Sequence, residues 1–129
     1  MTWLLDTHVL LWALADPERL SRAARRVLRD PDSQLVVSAA SAWEIATKQR
    51  LGKLPGAEVL TGQFARHVRH LGARTIDITA EHALLAGQLD WEHRDPFDRM
   101  LAAQSLTESW TLITQDPAFA GLTGVRLLW

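Results

Sequence analysis

The chain has no cysteine. That excludes disulfides and thiolate metal sites, and it fits a reducing compartment such as the cytoplasm. It has no apolar run near the roughly 18–20 residues that a membrane helix needs; the longest, VLLWALA at 9–15, is far shorter, so no membrane association is expected. The first residues, MTWLLDTH, carry no basic stretch and meet Asp6 at once, so no signal peptide is expected. Positive charge is not in excess: 14 Lys and Arg against 15 Asp and Glu leave a net charge of −1. No overall field then draws the protein to nucleic acid, and any such binding needs a local patch or a metal. There is no internal repeat, low-complexity tract or linker. With 129 residues and 47% hydrophobic content, one globular domain over 1–129 with its own core is expected.

What is present is an alternation of short apolar strands and helices. TWLL (2–5), QLVVS (34–38), RTIDI (74–78) and WTLIT (110–114) read as buried strands, and VRLL (125–128) as a short fifth. HVLLWALA (8–15) reads as a buried helix broken by Asp16-Pro17. Ser21 caps RAARRVLRD, which Asp30-Pro31 ends. Helices are predicted over 39–50, 57–71 (after a Pro55-Gly56 turn), from Thr79 to about Leu89, and over 96–108. Such alternation predicts an α/β domain with a mainly parallel sheet.

In open parallel sheets, ligands gather outside the C-terminal strand ends. Asp6 directly follows the first strand, and Asp116 comes two residues after TLIT. Glu44 lies early in the helix after LVV, and Asp98, with Asp95 beside it, opens the helix before the fourth strand. These acids can therefore converge on one sheet edge, with Asp95 at the rim. Each also has a purely local reading. In HRDPFDRMLAAQ, Asp95 is a good N-cap, Pro96 suits the first helical position, and Asp98 suits the helix dipole. Glu44 lies three after Ser41, as in a capping box, and Asp116-Pro117 resembles a turn. Asp6 is hardest to explain locally, because a carboxylate after a buried strand is desolvated unless it is paired or coordinates a cation. Several carboxylates without cysteine suit a hard cation such as Mg2+ or Mn2+. One or two such ions can activate water and stabilise a leaving oxygen, as in-line phosphodiester hydrolysis requires.

LLDTHVLLWAL (4–14), SAASAWEIATK (38–48), HRDPFDRMLAAQS (93–105) and LITQDPAF (112–119) resemble, in order and spacing, the four acidic motifs of PIN-domain proteins, closest to the VapC-type toxins of toxin–antitoxin pairs. The resemblance covers essentially the whole chain. It implies a three-layer α/β/α domain around a mainly parallel sheet of about five strands. It also implies Mg2+- or Mn2+-dependent endoribonuclease activity, a homodimer, and a small VapB-type antitoxin that blocks the active site. Asp6, Asp98 and Asp116 match the family's metal-ligand aspartates, and Glu44 matches its glutamate, which ligates or positions the attacking water. Asp95 matches an additional acid, ranked below the four.

Around these acids stand residues with two readings each. Thr7 and Thr114 either orient acids or a phosphate, or satisfy backbone groups. Lys48, Arg50 and Arg99 are placed for substrate, Arg99 alternatively steadying Asp98. Arg22, Arg25, Arg26 and Arg29 form either a phosphate grip or a solvated face. His8 and His93 are metal or structural histidines, and Trp12 and Trp43 are core or interface. Two other phosphoryl-transfer folds place an aspartate after the first strand, and both are excluded. Asp6-Thr7-His8 lacks the second acid of a haloacid-dehalogenase-type phosphatase. The only lysines, Lys48 and Lys53, come too early for a response-regulator receiver. The remaining alternative is a PIN-like regulator that binds RNA or protein without cutting.

Overall fold

The structure, a computed structural model, describes residues 1–55 and 57–129. Strands β1 (Thr2–Leu5), β2 (Gln34–Ser38), β3 (Ala73–Ile76), β4 (Thr111–Ile113) and β5 (Leu127–Leu128) form one sheet in the order β3-β2-β1-β4-β5. Every pairing is parallel. Helices α1 (Thr7–Ala15), α2 (Arg22–Arg29), α3 (Ala39–Arg50), α4 (Glu58–Gly62), α5 (Phe64–His70), α6 (Ala80–Gln88) and α7 (Pro96–Glu108) connect them, with 3-10 turns at Pro17–Arg19 and Pro117–Gly121. Among the described residues no helix is long and apolar enough to cross a membrane.

Strand residues alternate between two cores, because successive side chains leave opposite faces of a strand. Leu5, Leu35, Val37 and Ile113 join Val9, Leu10, Ala24 and Val68, from α1, α2 and α5, on one face. Leu4, Val36 and Leu112 join Leu101, Ala102 and Phe119, from α7 and the Pro117–Gly121 turn, on the other. Both sheet faces are thus covered, which is why the strands read as continuous apolar runs. The expected three-layer α/β/α architecture with five parallel strands is the one observed.

Two expectations about elements need correction. The helix predicted over 57–71 is two helices, broken at Gln63, whose φ of −143° and ψ of 41° lie outside the helical region. Leu60, Phe64 and Leu71 still pack on the core, but Val59 is 72% exposed, so the apolar stripe does not run unbroken. Gly62, the last residue of α4, is a weak helix former and marks the break. β3 starts one residue earlier than expected and ends at Ile76, opposite Ser38, which turns from strand to helix cap; Ile78 packs instead near α6 and α7. The Pro55-Gly56 turn involves residue 56, which lies outside the described residues.

The chain runs β1, β2, β3 to one side and returns with β4 and β5 on the other. The order therefore reverses between β1 and β4, where a crevice opens at the strand ends. Asp6 follows β1 at this point, its backbone N–H bonded to the Ile113 carbonyl of β4 at 3.0 Å.

Candidate active site

Asp6 is the centre of the crevice. It is the N-cap of α1, and its Oδ1 accepts from the Thr7 N–H at 2.7 Å. Its other oxygen, Oδ2, accepts from the Thr114 hydroxyl at 2.6 Å. Thr114 in turn accepts from the Asp116 N–H at 3.0 Å, so a relay of bonds joins the ends of β1 and β4. Asp6 is only 5% exposed. Burial raises its pKa; the Thr114 bond, the charge of His8 and the Thr7 N–H oppose that rise without cancelling it, and the charge of Glu44 adds to it.

One flank of Asp6 is formed by α3 and α7. Glu44 is 3% exposed, and its Oε2 accepts from Lys48 Nζ, one helical turn on. Its Oε1 is buried with no hydrogen-bond partner. Such an atom is costly to bury unless something else satisfies it. The capping-box reading of Glu44 fails: Ser38, not Ser41, caps α3, through the Ala40 N–H, and Ser41 bonds the Thr7 hydroxyl at 2.9 Å. Asp98 Oδ2 pairs with His93 Nε2 at 2.7 Å. Burial pushes the Asp98 pKa up to about 6, with the charges of Asp95, Asp6 and Glu44 adding to it and the His93 bond opposing. Burial lowers the Lys48 pKa, but Glu44, Asp95 and Asp98 outweigh burial and leave it raised. Asp6, Glu44 and Asp98 therefore sense one another electrically. Asp95 caps α7, with Oδ1 accepting from Phe97 N–H at 2.8 Å and Asp98 N–H at 3.2 Å.

The other flank is an open cavity of about 550 Å3, lined by Asp6 and Asp116 together with His8, Trp12 and Arg19. Asp116 spends Oδ1 on the Ala118 N–H at 2.9 Å, so the turn reading holds for that oxygen. Asp116 is the most peripheral of the four acids, joined to Asp6 through Thr114 and this cavity.

Four hard-oxygen carboxylates and a buried Glu44 oxygen without a partner suit a hard divalent cation in donor chemistry. Among the described residues, however, no three His, Asp or Glu side chains stand close enough to form a ready cage. Lys48 pairs with Glu44, and His93 is hydrogen-bonded to Asp98 instead.

The other expected residues divide cleanly. Thr114 orients Asp6, while Thr7 ties α1 to Ser41 on α3. Lys48 is engaged by Glu44. Arg99, expected near phosphate, is not free: Nε donates to Ala86 O (2.9 Å), Nη1 to Trp91 O (2.8 Å) and His93 O (3.0 Å), and Nη2 to Leu89 O (2.7 Å). It staples the segment between α6 and α7. His93 is tied to Asp98, whereas His8 is exposed against Trp12. Trp12 is half-buried against the first core, but Trp43 is 53% exposed beside Phe97 and does not fill the core. Sequence reasoning missed Arg19. It lies thirteen residues past Asp6, and only the fold of the 3-10 turn brings it to the acids.

A family model of the PIN domain matches residues 3–124. The chain is 36% identical over 118 residues to Ribonuclease VapC22 of Mycobacterium tuberculosis, covering 89% of this chain and 87% of that protein. Among solved structures it resembles VapBC2 from Rickettsia felis bound to a DNA fragment from their promoter, with TM-score 0.71, 17% identity and coverage of 99% and 98% of the two chains. It also resembles Mycobacterium tuberculosis VapC20, described as a Sarcin-Ricin loop cleaving toxin, with TM-score 0.58, 18% identity and coverage of 96% and 98%. At these identities the structural likenesses speak for the fold alone.

Proposed function

The chain belongs to the PIN domain family as a VapC-type member, and on that premise we propose that it is a divalent-metal-dependent endoribonuclease, the toxin of a toxin–antitoxin pair. The observation that carries this reading is the buried, partnerless Glu44 oxygen beside Asp6 and Asp98, two carboxylates whose pKa values are raised by burial. Carboxylates held this way gain most from a cation. The name of the relative, a ribonuclease, supports the substrate class.

Asp6, Asp98, Asp116 and Glu44 would hold Mg2+ or Mn2+, with Asp95 contributing mainly as the cap that aims Asp98. When bound, the ion supplies Lewis-acid polarisation of the phosphodiester and activation of water for hydrolysis. The chain's own residues do the rest. Thr114 and the Thr7 N–H fix both oxygens of Asp6. His93 orients Asp98 through their 2.7 Å hydrogen bond. Lys48 holds Glu44 at the edge of the crevice, from which Glu44 ligates or positions water. No covalent intermediate on the protein is required.

Several structural neighbours, VapBC2 from Rickettsia felis among them, are VapBC assemblies, and a VapB-type antitoxin is accordingly the proposed partner. The apolar groove of about 540 Å3 between α1 and α4, lined by Leu11, Trp12, Leu14, Leu54 and Leu60, offers such a partner a surface. A homodimer and a cytoplasmic location complete the proposal.

The test is RNA cleavage by the purified protein with Mg2+ or Mn2+, with chelator and Asp98→Asn as paired controls. Metal-dependent cutting lost in both controls is expected. RNA binding without cutting, indifferent to Asp98→Asn, would replace the nuclease with the non-catalytic regulator.

A further inference from the structure

Every substrate phosphate that approaches the acids brings negative charge to a cluster already negative. The divalent ion would offset the charge of the phosphate that reacts; a neighbouring phosphate needs a cation of the chain itself, and two of those nearest the acids in sequence are spent. Lys48 is paired with Glu44, and Arg99 is consumed by four backbone carbonyls. Arg19 differs. It lines the cavity of about 550 Å3 that Asp6 and Asp116 also line. Its guanidinium lies 4.7 Å from the centroid of the Trp12 ring. No carboxylate among the described residues lies within the 4.0 Å of an ion pair with it.

The turn that carries Arg19 is anchored. Pro17 starts it, the Arg19 N–H bonds the Asp16 carbonyl at 3.1 Å, and the next residue, Leu20, is 4% exposed in the core. Trp12 is itself held against Trp129, with ring centroids 5.9 Å apart. The guanidinium therefore rests on a fixed aromatic platform at the cavity wall. A guanidinium held over a ring by cation–π attraction still has N–H donors to offer, and such donors recognise phosphate. His8, exposed and 5.8 Å from Trp12, adds an aromatic face for an unstacked base.

Resting on the nuclease reading, we infer that Arg19, seated on Trp12, is the substrate-positioning residue, binding a phosphate of single-stranded RNA next to the one hydrolysed at the acids. The four arginines of α2 do not compete for this role. Arg22, Arg25, Arg26 and Arg29 line a separate depression that includes none of the site acids.

The experiment measures binding and cleavage separately. A fluorescein-labelled single-stranded RNA of mixed sequence is titrated by anisotropy with chelator present, against the full chain, Arg19→Ala, Arg19→Lys and Arg26→Ala. Arg19→Ala is expected to weaken binding about tenfold or more, the scale of one charge-assisted contact. It should also flatten the dependence of log K on log salt by about 0.7, the share of one phosphate on a single strand. Arg19→Lys should restore the salt slope and only part of the affinity. Arg26→Ala, with the same charge removed from α2, should stay near wild type. With Mg2+ present, Arg19→Ala should raise KM and leave kcat within a few-fold. Wild-type binding by Arg19→Ala overturns the inference, as does an equal or larger loss in Arg26→Ala, which would move the RNA to α2. If the wild-type chain never cuts but binding still depends on Arg19, the nuclease reading falls and the RNA subsite stands.

Discussion

The two flanks of Asp6 are built on opposite plans. Toward α3 and α7 three charged side chains are engaged, Glu44 by Lys48, Asp98 by His93, and Arg99 by four carbonyls, while the second oxygen of Glu44 stays without a partner. Toward the 3-10 turn after α1, Arg19 and Asp116 line an open cavity, and among the described residues neither has an ion-pair partner. The paired flank is stabilised in the absence of any ligand; the unpaired flank leaves its charge to whatever enters. The lesson is sharpest in the two arginines. Arg99, adjacent to Asp98 in sequence, serves the fold, and Arg19, distant in sequence, faces the crevice.

That contrast can be broken or sharpened by substitution. The largest effect is expected at the centre. Asp6→Asn should cost about 10³-fold in cleavage rate, about 4 kcal/mol, the upper range for losing one transition-state charge contact. The metal-free protein should nevertheless melt no lower than wild type, since a neutral amide relieves a carboxylate whose charge burial disfavours. A melting temperature that falls along with activity would show that Asp6 is a structural cap first.

Next comes Arg99→Ala, which strands four carbonyls and should destabilise the fold by about 3 kcal/mol in urea unfolding. Arg99→Lys should not rescue it, because one ammonium cannot span that fork. Arg19→Ala should cost less than about 1 kcal/mol, the worth of an exposed cation–π contact. Equal losses at the two arginines would erase the distinction between the flanks.

The paired flank should also show in pH dependence. Asp98 has a folded pKa of about 6 against an ordinary 3.8, so between these values the folded state binds more protons than the unfolded state. Stability of the metal-free protein should therefore fall as pH rises from about 4 to above 6, by roughly 2–3 kcal/mol for this group. Unfolding followed across that window should show the decline, and Asp98→Asn should flatten it. Mn2+ should offset the decline at the high-pH end, since a bound cation favours the charged form.

Smaller effects complete the series. Lys48→Met leaves the buried Glu44 carboxyl without its partner and should cost about 2 kcal/mol in metal-free unfolding. A divalent ion should recover part of that loss; no recovery would separate Glu44 from the ion site. Trp43→Ala, removing an exposed ring that meets Phe97 edge-on at 4.6 Å, should cost about 1 kcal/mol or less by thermal melt.

How far the sequence could be read follows the same physical divide. Strand and helix identities were legible because each rests on local periodicity and caps: QLVVS, the Ser21, Thr79 and Asp95 caps, and the 96–108 helix all appear as expected. The gathering of Asp6, Glu44 and Asp98 was legible because parallel strands carry their C-terminal residues to one edge. The break at Gln63 was not, since Val59 and Leu60 satisfy a helical stripe whether or not the stripe bends.

By itself, then, the sequence determined a parallel α/β sheet, its two buried faces, and the edge on which the acids collect, because burial and strand direction follow from patterns a few residues long. Only the tertiary structure decided which partners those acids and the nearby cations take. Asp6 turns to Thr114 of the β4 end, Arg99 to backbone carbonyls rather than to the crevice, and Arg19 to Trp12 at the cavity wall. A long charged side chain reaches several neighbours from one backbone position, and which neighbour it meets depends on how elements distant in sequence pack together.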